Sequence, residues 1–151
     1  MKLTQIHLND AGLPAPTPEI EQERKVAIFD LLEENSFALA GKTGGPYELT
    51  LGIQDKLLML SADDGSGETA FGLSLSPFRQ IIKDYFQICE SYYDAVKKLP
   101  AAQIEAIDMG RRGIHDEGAR LLLERLEGKI ETDKPTARRL FTLICVLHFK
   151  G

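Results

Sequence analysis

Two adjacent arginine pairs, Arg111-Arg112 and Arg138-Arg139, are the side chains in this sequence best suited to bind a ligand. A guanidinium group can hold a carboxylate or a phosphate through two parallel hydrogen bonds. Two such pairs on neighbouring helices could therefore clamp one small anion. The four arginines are predicted to form an anion-binding site.

The charge distribution favours the same region. Residues 1–75 carry five basic and twelve acidic side chains, whereas residues 76–151 carry thirteen and eleven. The net charge thus changes from −7 to +2 between the halves, and an acidic ligand would dock on the second. The alternative is that the arginines pair with carboxylates of the same chain or flank an apolar helix as solvated ends. Candidate partners are Asp108, Glu105 and Glu131.

His115 is the one catalytic candidate. It stands three residues after Arg112 and is followed by Asp116 and Glu117. Imidazole can act as an acid or a base near neutral pH. Adjacent helical residues point about 100° apart, so the three side chains cannot all converge on one point. A polar helix surface would explain the same residues.

Other motifs are incomplete, and we predict no metal and no cofactor. Residues 41–43 (GKT) match the end of a phosphate-binding loop, but Ser36 stands where the pattern needs glycine and a strand follows. Residues 63–68 lack the ligand spacing of a calcium loop and indicate a hairpin turn. Cys145 and His148 are three residues apart, but no second ligand pair has matching spacing.

The composition excludes several classes of protein. A net charge of −5 disfavours nonspecific binding to nucleic acid or anionic lipid. Tyr85, Tyr92 and Tyr93 follow core spacing and not the pattern of a base-stacking surface, so the sequence does not predict nucleic acid as a partner. The longest apolar run, residues 140–149, is too short to span a membrane. Cys89 and Cys145 stand in apolar helical patterns, which indicates buried thiols and a cytoplasmic protein.

The first half of the chain predicts strands and one helix. Alternation at residues 4–8 indicates a strand ending in a turn at residues 9–12. Thr17 and Pro18 predict the start of a helix running to about residue 34, with Ile20, Ala27, Ile28, Leu31 and Leu32 facing inward. Three further strands are expected at residues 47–53, 57–61 and 69–75. Their short connections predict an antiparallel meander.

The second half predicts helices. Residues 76–99 carry a heptad seam at Phe78, Ile82, Tyr85, Cys89, Tyr92, Val96 and Leu99, which favours a buried helix over a coiled-coil dimer. Ala102, Ala106, Gly110 and Gly113 would form a smooth stripe on a helix starting at Pro100. We favour instead a break near Gly110–Gly113, although packing, a turn or a site could each explain these glycines. A brief extended segment is expected at Ile130, before a last helix at residues 136–149.

Five stretches of the chain resemble a small uncharacterised family of alphaproteobacterial proteins. They are PEIEQERKVAIFDLLEENSF (18–37), GGPYELTL (44–51), LSPFRQIIKDYFQICESYYDA (75–95), IEAIDMGRRG (104–113) and TARRLFTLICVLHFKG (136–151). The resemblance implies a bacterial cytoplasmic protein. It assigns no activity to any residue.

These patterns predict one α+β domain over residues 1–151, with residues 1–75 strand-rich and 76–151 helical. An antiparallel sheet of about four strands would pack against four or five helices. The leading functional hypothesis is a non-enzymatic cytoplasmic interaction or regulatory module, as a homodimer or with a protein partner. The competing hypothesis is a binding protein or enzyme for a small phosphate or carboxylate metabolite, with the arginines as clamp and His115 as acid or base.

Overall fold

The computed structural model describes residues 2–10, 13–41 and 45–148. Three predicted features lie partly outside these residues: the turn at 9–12, the loop-like segment at 41–43 and the end of the last helix at Phe149. In the described part of the chain, no helix is both long enough and apolar enough to cross a membrane.

Six strands and four α-helices follow one another along the described part of the chain. The strands are β1 (Leu3–Asn9), β2 (Phe37–Leu39), β3 (Tyr47–Gln54), β4 (Leu57–Asp63), β5 (Glu68–Ser74) and β6 (Ile130–Thr132). The helices are α1 (Pro18–Glu33), α2 (Arg79–Lys98), α3 (Ala101–Leu126) and α4 (Lys134–Leu147), with a short 3₁₀ turn at Ser76–Phe78 before α2. The α+β class predicted from the sequence is confirmed.

The main sheet is mixed and not wholly antiparallel. Its strand order is β1-β3-β4-β5. β3, β4 and β5 form the predicted antiparallel meander, but β1 pairs with β3 in parallel. The direction of β1 differs from the prediction because α1 lies between the two strands and returns the chain to the same end of the sheet.

A second, two-stranded sheet joins distant parts of the chain. β2 pairs antiparallel with β6, so that Phe37 lies opposite Thr132 and Leu39 opposite Ile130. The extended segment expected at Ile130 is therefore present. Its partner β2 was missed, since three residues are too short to show an alternating pattern.

Side-chain hydrogen bonds cap the first turns of two of the helices. The Thr17 hydroxyl accepts a hydrogen bond from the Ile20 amide at 3.2 Å, and Pro18 occupies the first turn of α1. The Asp133 carboxylate accepts one from the Thr136 amide at 2.9 Å at the start of α4. Both arrangements satisfy amides that have no partner within the helix. The start of α2 differs, since Ser76 forms part of the 3₁₀ turn and makes no capping bond.

Helix α3 is continuous from Ala101 to Leu126, and the predicted break near Gly110–Gly113 is wrong. Both glycines lie inside the helix and are exposed. A Cβ added at Gly110 would lie 3.5 Å from Ile88 of α2, and one added at Gly113 would meet nothing within 4 Å. The glycine that packs closely is Gly118, where a Cβ would lie 2.5 Å from ring atoms of Phe141. Packing against α2 and α4 outweighs the low helix propensity of the glycines.

Helix α4 lies at the centre of the helical layer. It contacts α1 and α3 and reaches β3 of the sheet, and every residue from Leu140 to Cys145 is buried. A helix surrounded on most sides buries most of its faces, which explains the nearly continuous apolar sequence of this segment.

Two predicted core faces end earlier than expected. On α1, Ile20, Ala27 and Leu31 are buried, but Leu32 is exposed. The seam of α2 is buried at Phe78, Ile82, Tyr85 and Cys89, but its last members Val96 and Leu99 are exposed. These two side chains lie at the end of α2, next to the first turns of α3, which are themselves exposed or only partly buried.

Candidate functional site

The five residues predicted to act on a ligand line one cleft between α1, α3 and α4. They are Arg111, Arg112, Arg138, Arg139 and His115. The cleft has a volume of about 430 Å³, and its other lining residues come mainly from α1 and α4. Arg111 and His115 are four residues apart on α3, and α4 supplies the second arginine pair from its second turn. Because α3 packs on α4, the two pairs meet across that contact.

Arg111 is the most firmly held of the four arginines. Its guanidinium lies 3.4 Å from Glu23 Oε1 and 3.0 Å from Asp108 Oδ1. The same group stands over the Tyr92 ring, 4.5 Å from its centroid, which adds a cation–π contact. These partners come from α1, α2 and α3 itself, so Arg111 links three helices.

Glu23 connects this arginine to the core. Its side chain is only 13% exposed. Besides Arg111, its Oε1 accepts hydrogen bonds from the Tyr85 hydroxyl at 3.3 Å and the Cys89 thiol at 3.5 Å. The sequence analysis missed Glu23. Its position in α1 could have indicated a buried role, because Glu23 falls between the buried residues Ile20 and Ala27 at helical spacing.

The other three arginines each pair with one carboxylate of the described residues and are more exposed than Arg111. Arg112 Nη2 lies 3.0 Å from Asp108 Oδ2, with the arginine side chain 70% exposed. Arg138 pairs with Asp116 of α3. Arg139 Nε lies 3.8 Å from Asp30 Oδ2, and its Nη1 donates to the Pro135 carbonyl at 3.0 Å.

Intramolecular carboxylates therefore engage all four arginines. Of the partners named from the sequence, Asp108 is confirmed, whereas Glu105 and Glu131 make no ion pair with these arginines within the described ranges. Glu23, Asp30 and Asp116 take their place. Glu23 and Asp30 lie on α1, and Asp116 lies on the side of α3 that faces α4. Proximity in sequence does not indicate these ion pairs.

His115 is held in one orientation. Its Nδ1 donates to the Arg111 carbonyl at 2.9 Å, and its ring packs edge-on against Tyr85 and Phe141 at centroid distances of 5.4 and 6.2 Å. Burial lowers the pKa of His115 below its ordinary value of 6.5, so the ring is neutral at pH 7. Its neighbours point elsewhere, with Asp116 paired to Arg138 and Glu117 to Arg120.

The two thiols are buried and uncharged, as the sequence predicted. Cys89 and Cys145 form no disulfide. Burial raises the pKa of the Cys89 thiol to about 12 and that of Cys145 well above its ordinary value. A protonated thiol is a poor nucleophile. Among the described residues, no group of three histidine, cysteine or acidic side chains could hold a metal ion.

A second cavity of about 700 Å³ lies between α1 and α2. Ile20, Ile82, Phe86 and Tyr93 form its apolar wall, and charged side chains of both signs surround it. Cys89 also lines this groove, so its bond to Glu23 connects the two cavities. The sequence analysis did not predict this groove.

Sequence comparison finds close relatives over nearly the whole chain. One is a UPF0262 protein of Jannaschia sp. (strain CCS1), which is 67% identical over 153 residues covering 99% of this chain and 98% of the relative. UPF0262 proteins of Dinoroseobacter shibae and Paracoccus denitrificans are 63% and 61% identical, covering 97% of this chain and 97% and 94% of their own. No solved structure matches the chain.

The family comparison agrees with these relatives. The uncharacterised protein family UPF0262 matches residues 1–150. The resemblance to an uncharacterised alphaproteobacterial family is thereby confirmed, and the family carries no assigned function. The chain belongs to the uncharacterised protein family UPF0262.

Proposed function

We propose that this protein is a non-enzymatic, cytoplasmic regulatory module that binds a small carboxylate or phosphate anion in the cleft between α1, α3 and α4. The observation that carries the proposal is the meeting of Arg111, Arg112, Arg138 and Arg139 around one concave surface. Fork-shaped donors converging on one cleft suit a planar carboxylate or a phosphate oxygen pair.

The exposure and the ion pairs of each arginine indicate how readily it can contact a ligand. Arg138 and Arg139 are 34% and 33% exposed, and the ion pair of Arg139 with Asp30 is long at 3.8 Å. An exposed, loosely held ion pair is worth little, so an incoming anion can replace the carboxylate at small cost. Arg139 is therefore expected to contribute most, and Arg111 to keep its structural partners.

Binding suits the cleft better than turnover. The Thr142 hydroxyl in the cleft donates to the Arg138 carbonyl at 3.2 Å and is thus committed to the backbone. Cys89 faces the other cavity as a protonated thiol. Neither group is prepared for nucleophilic attack, which requires an adjacent base or a lowered pKa.

A thermal-shift screen tests the proposal. The protein would be heated with inorganic phosphate, phosphorylated metabolites and dicarboxylates, together with the variants Arg139→Ala and Arg138→Ala. A ligand at a hundred times its Kd adds about 2.7 kcal/mol of stability, which raises the melting temperature measurably. We expect a ligand-dependent rise that both variants reduce.

Arg120→Ala is the matched control. Arg120 lies on the same helix as Arg111, and it forms exposed ion pairs with Glu117 and Glu124 away from the cleft. This variant should keep the whole ligand-dependent rise. A rise that Arg120→Ala removes equally, or no rise with any of these anions, would contradict an anion site in the cleft.

A second candidate function is self-association or binding of a protein partner through α1. Val26, Phe29 and Leu32 are exposed at three-residue spacing on one side of this helix, and Phe29 is 65% exposed. Neighbouring apolar side chains left in solvent are a feature of interaction surfaces. Light scattering after size-exclusion chromatography should give a dimer mass that Phe29→Ser reduces to the monomer. A monomer mass for the unmodified protein at every concentration would exclude the homodimer.

A further inference from the structure

We propose that the cleft selects anions that carry a proton donor, such as hydrogen phosphate or a hydroxy-carboxylate, over anions of the same shape without one. This inference rests on the anion site proposed above. It assigns His115 the role of a hydrogen-bond acceptor for the ligand. His115 would thus determine specificity while the arginines supply affinity.

The hydrogen bond inside α3 determines the tautomer of His115. A carbonyl oxygen can only accept, so the Nδ1 atom that lies 2.9 Å from the Arg111 carbonyl must carry the proton. In a neutral imidazole the other nitrogen, Nε2, then has a lone pair and no hydrogen. Nε2 can therefore accept a hydrogen bond from a ligand but cannot donate one.

In this proposal, Nε2 is oriented toward the cleft. Within the described residues, no side-chain nitrogen or oxygen is both buried and without a hydrogen-bond partner. The described groups offer Nε2 no partner, since the one hydrogen bond of this ring is made by Nδ1. Nε2 is consequently not fully buried, and His115 is one of the residues that line the cleft beside the arginines.

The groups around His115 keep the ring neutral. Glu23 of α1 faces it as an anion, whereas Arg111 of α3 and Arg138 of α4 face it as cations, and the Tyr85 ring of α2 covers one side. Burial makes the largest contribution to lowering the pKa of the imidazole, and the two guanidinium groups act in the same direction. Near neutral pH the neutral ring is thus the stable form, and Nε2 keeps its lone pair.

The cleft therefore combines several donors with one acceptor. The guanidinium groups of Arg138 and Arg139 can bind unprotonated oxygens of an anion. An anion that also has an O–H group can satisfy Nε2, whereas an anion with only acceptor oxygens places a lone pair against it. Sites that expect a hydroxyl discriminate strongly against analogues that lack it, because their polar group is left unpaired.

Phosphate and sulfate provide a matched test of this selectivity. Near neutral pH, hydrogen phosphate and sulfate are both tetrahedral dianions, but only hydrogen phosphate has an O–H group. Isothermal titration calorimetry at constant ionic strength should give about tenfold tighter binding of phosphate than of sulfate. Malate and succinate form a second pair that differs by one hydroxyl, and malate should bind tighter.

The variant His115→Phe tests the assigned role. A phenyl ring retains the edge-on packing against Tyr85 and Phe141 but has neither nitrogen. The preference for phosphate over sulfate should disappear, because phosphate loses its acceptor and sulfate no longer meets a lone pair. If phosphate stays about tenfold tighter in this variant, His115 does not supply the selectivity and the inference is wrong.

A second measurement does not depend on the folding of that variant. Sulfate stays fully ionised as the pH is lowered through the pKa of His115, at which the ring gains a proton and Nε2 becomes a donor. Sulfate affinity of the unmodified protein should therefore rise on acidification. A constant or falling sulfate affinity would contradict an accepting Nε2.

The outcomes separate this inference from the proposed function. Equal binding of phosphate and sulfate, lost in Arg139→Ala, would retain the anion site and overturn the selectivity. If none of the four anions binds, or if Arg139→Ala binds them as well as the unmodified protein does, the anion site itself fails. Arg120→Ala again serves as the control for a remote arginine.

Discussion

The two halves of α3 differ in what they contact. From Ala101 to Gly110 every described side chain is exposed or only partly buried. In the second half Gly118, Ala119, Leu122 and Leu126 are buried against the core. The first half rests on the end of α2, whereas the second half packs on α4 as well.

The ligand-binding candidates of α3 lie where these halves meet. Arg111, Arg112 and His115 occupy the turn at which the helix leaves the core. A rigid helix positions side chains better than a loop does, and the edge of the core leaves them accessible. The comparison also shows that glycine has different surroundings in the two halves, since Gly113 faces open space and Gly118 lies against Phe141.

The largest effect is expected from Gly118→Ala in the buried half. The added Cβ would lie 2.5 Å from ring atoms of Phe141, a fully buried side chain. Overpacking of a filled core costs about 3 kcal/mol at the upper end of its usual range. Urea unfolding should show this loss. An unchanged unfolding free energy would mean that α3 and α4 are not in close contact at Gly118.

An intermediate effect is expected from Arg111→Ala at the junction. Removing this guanidinium leaves the mostly buried Glu23 without its cation. Loss of a partner from a poorly solvated charge costs about 1–2 kcal/mol. Arg112→Ala is the matched control, since that side chain is 70% exposed and its ion pair should contribute within about 0.5 kcal/mol. Equal losses in the two variants, measured by urea unfolding, would contradict the structural role of Arg111.

A stabilising change is expected from Gly113→Ala, the counterpart of Gly118→Ala. A Cβ here would meet nothing within 4 Å, and the residue lies inside the helix. Alanine should raise the free energy of unfolding by about 0.5–1 kcal/mol, because glycine loses more backbone freedom when a helix forms. Destabilisation by this variant, in the same urea assay, would indicate that the helix is interrupted at Gly113.

The smallest effect is expected from titration of His115. The unfolded chain binds a proton to this imidazole near its ordinary pKa of 6.5, whereas burial lowers the pKa in the folded protein. The contribution of the neutral imidazole to the free energy of unfolding is therefore fully present above pH 6.5, and it is lost as the pH falls through the pKa of the folded protein. Unfolding measured across this range should show a steeper acid-side loss for the unmodified protein than for His115→Phe. Parallel pH profiles would show that His115 is not buried as a neutral ring.

Features determined by neighbouring residues could be predicted from the sequence. Thr17 with Pro18 and Asp133 before α4 start helices through bonds that span only three residues. The hairpin turn at residues 63–68, between β4 and β5, likewise follows from local residue types. The parallel pairing of β1 and the continuity of α3 could not be predicted, because both depend on contacts between elements distant in sequence.

The candidate site was predictable to a similar extent. The chemistry of arginine and the spacing of its pairs indicated which side chains would share a cleft. Glu23 was missed because a lone carboxylate in an amphipathic helix is usually solvated, and its partners Arg111, Tyr85 and Cys89 lie more than sixty residues away. Only the packed helices bring these side chains together.

The most direct test of the anion site is NMR observation of the arginine side chains during titration with inorganic phosphate. The Nε–H signals of Arg138 and Arg139 should shift in a saturable manner with one common Kd. The signal of Arg120, which pairs with Glu117 and Glu124 outside the cleft, should stay in place. Shifts of equal size at all three arginines, or none at Arg138 and Arg139, would contradict anion binding in the cleft.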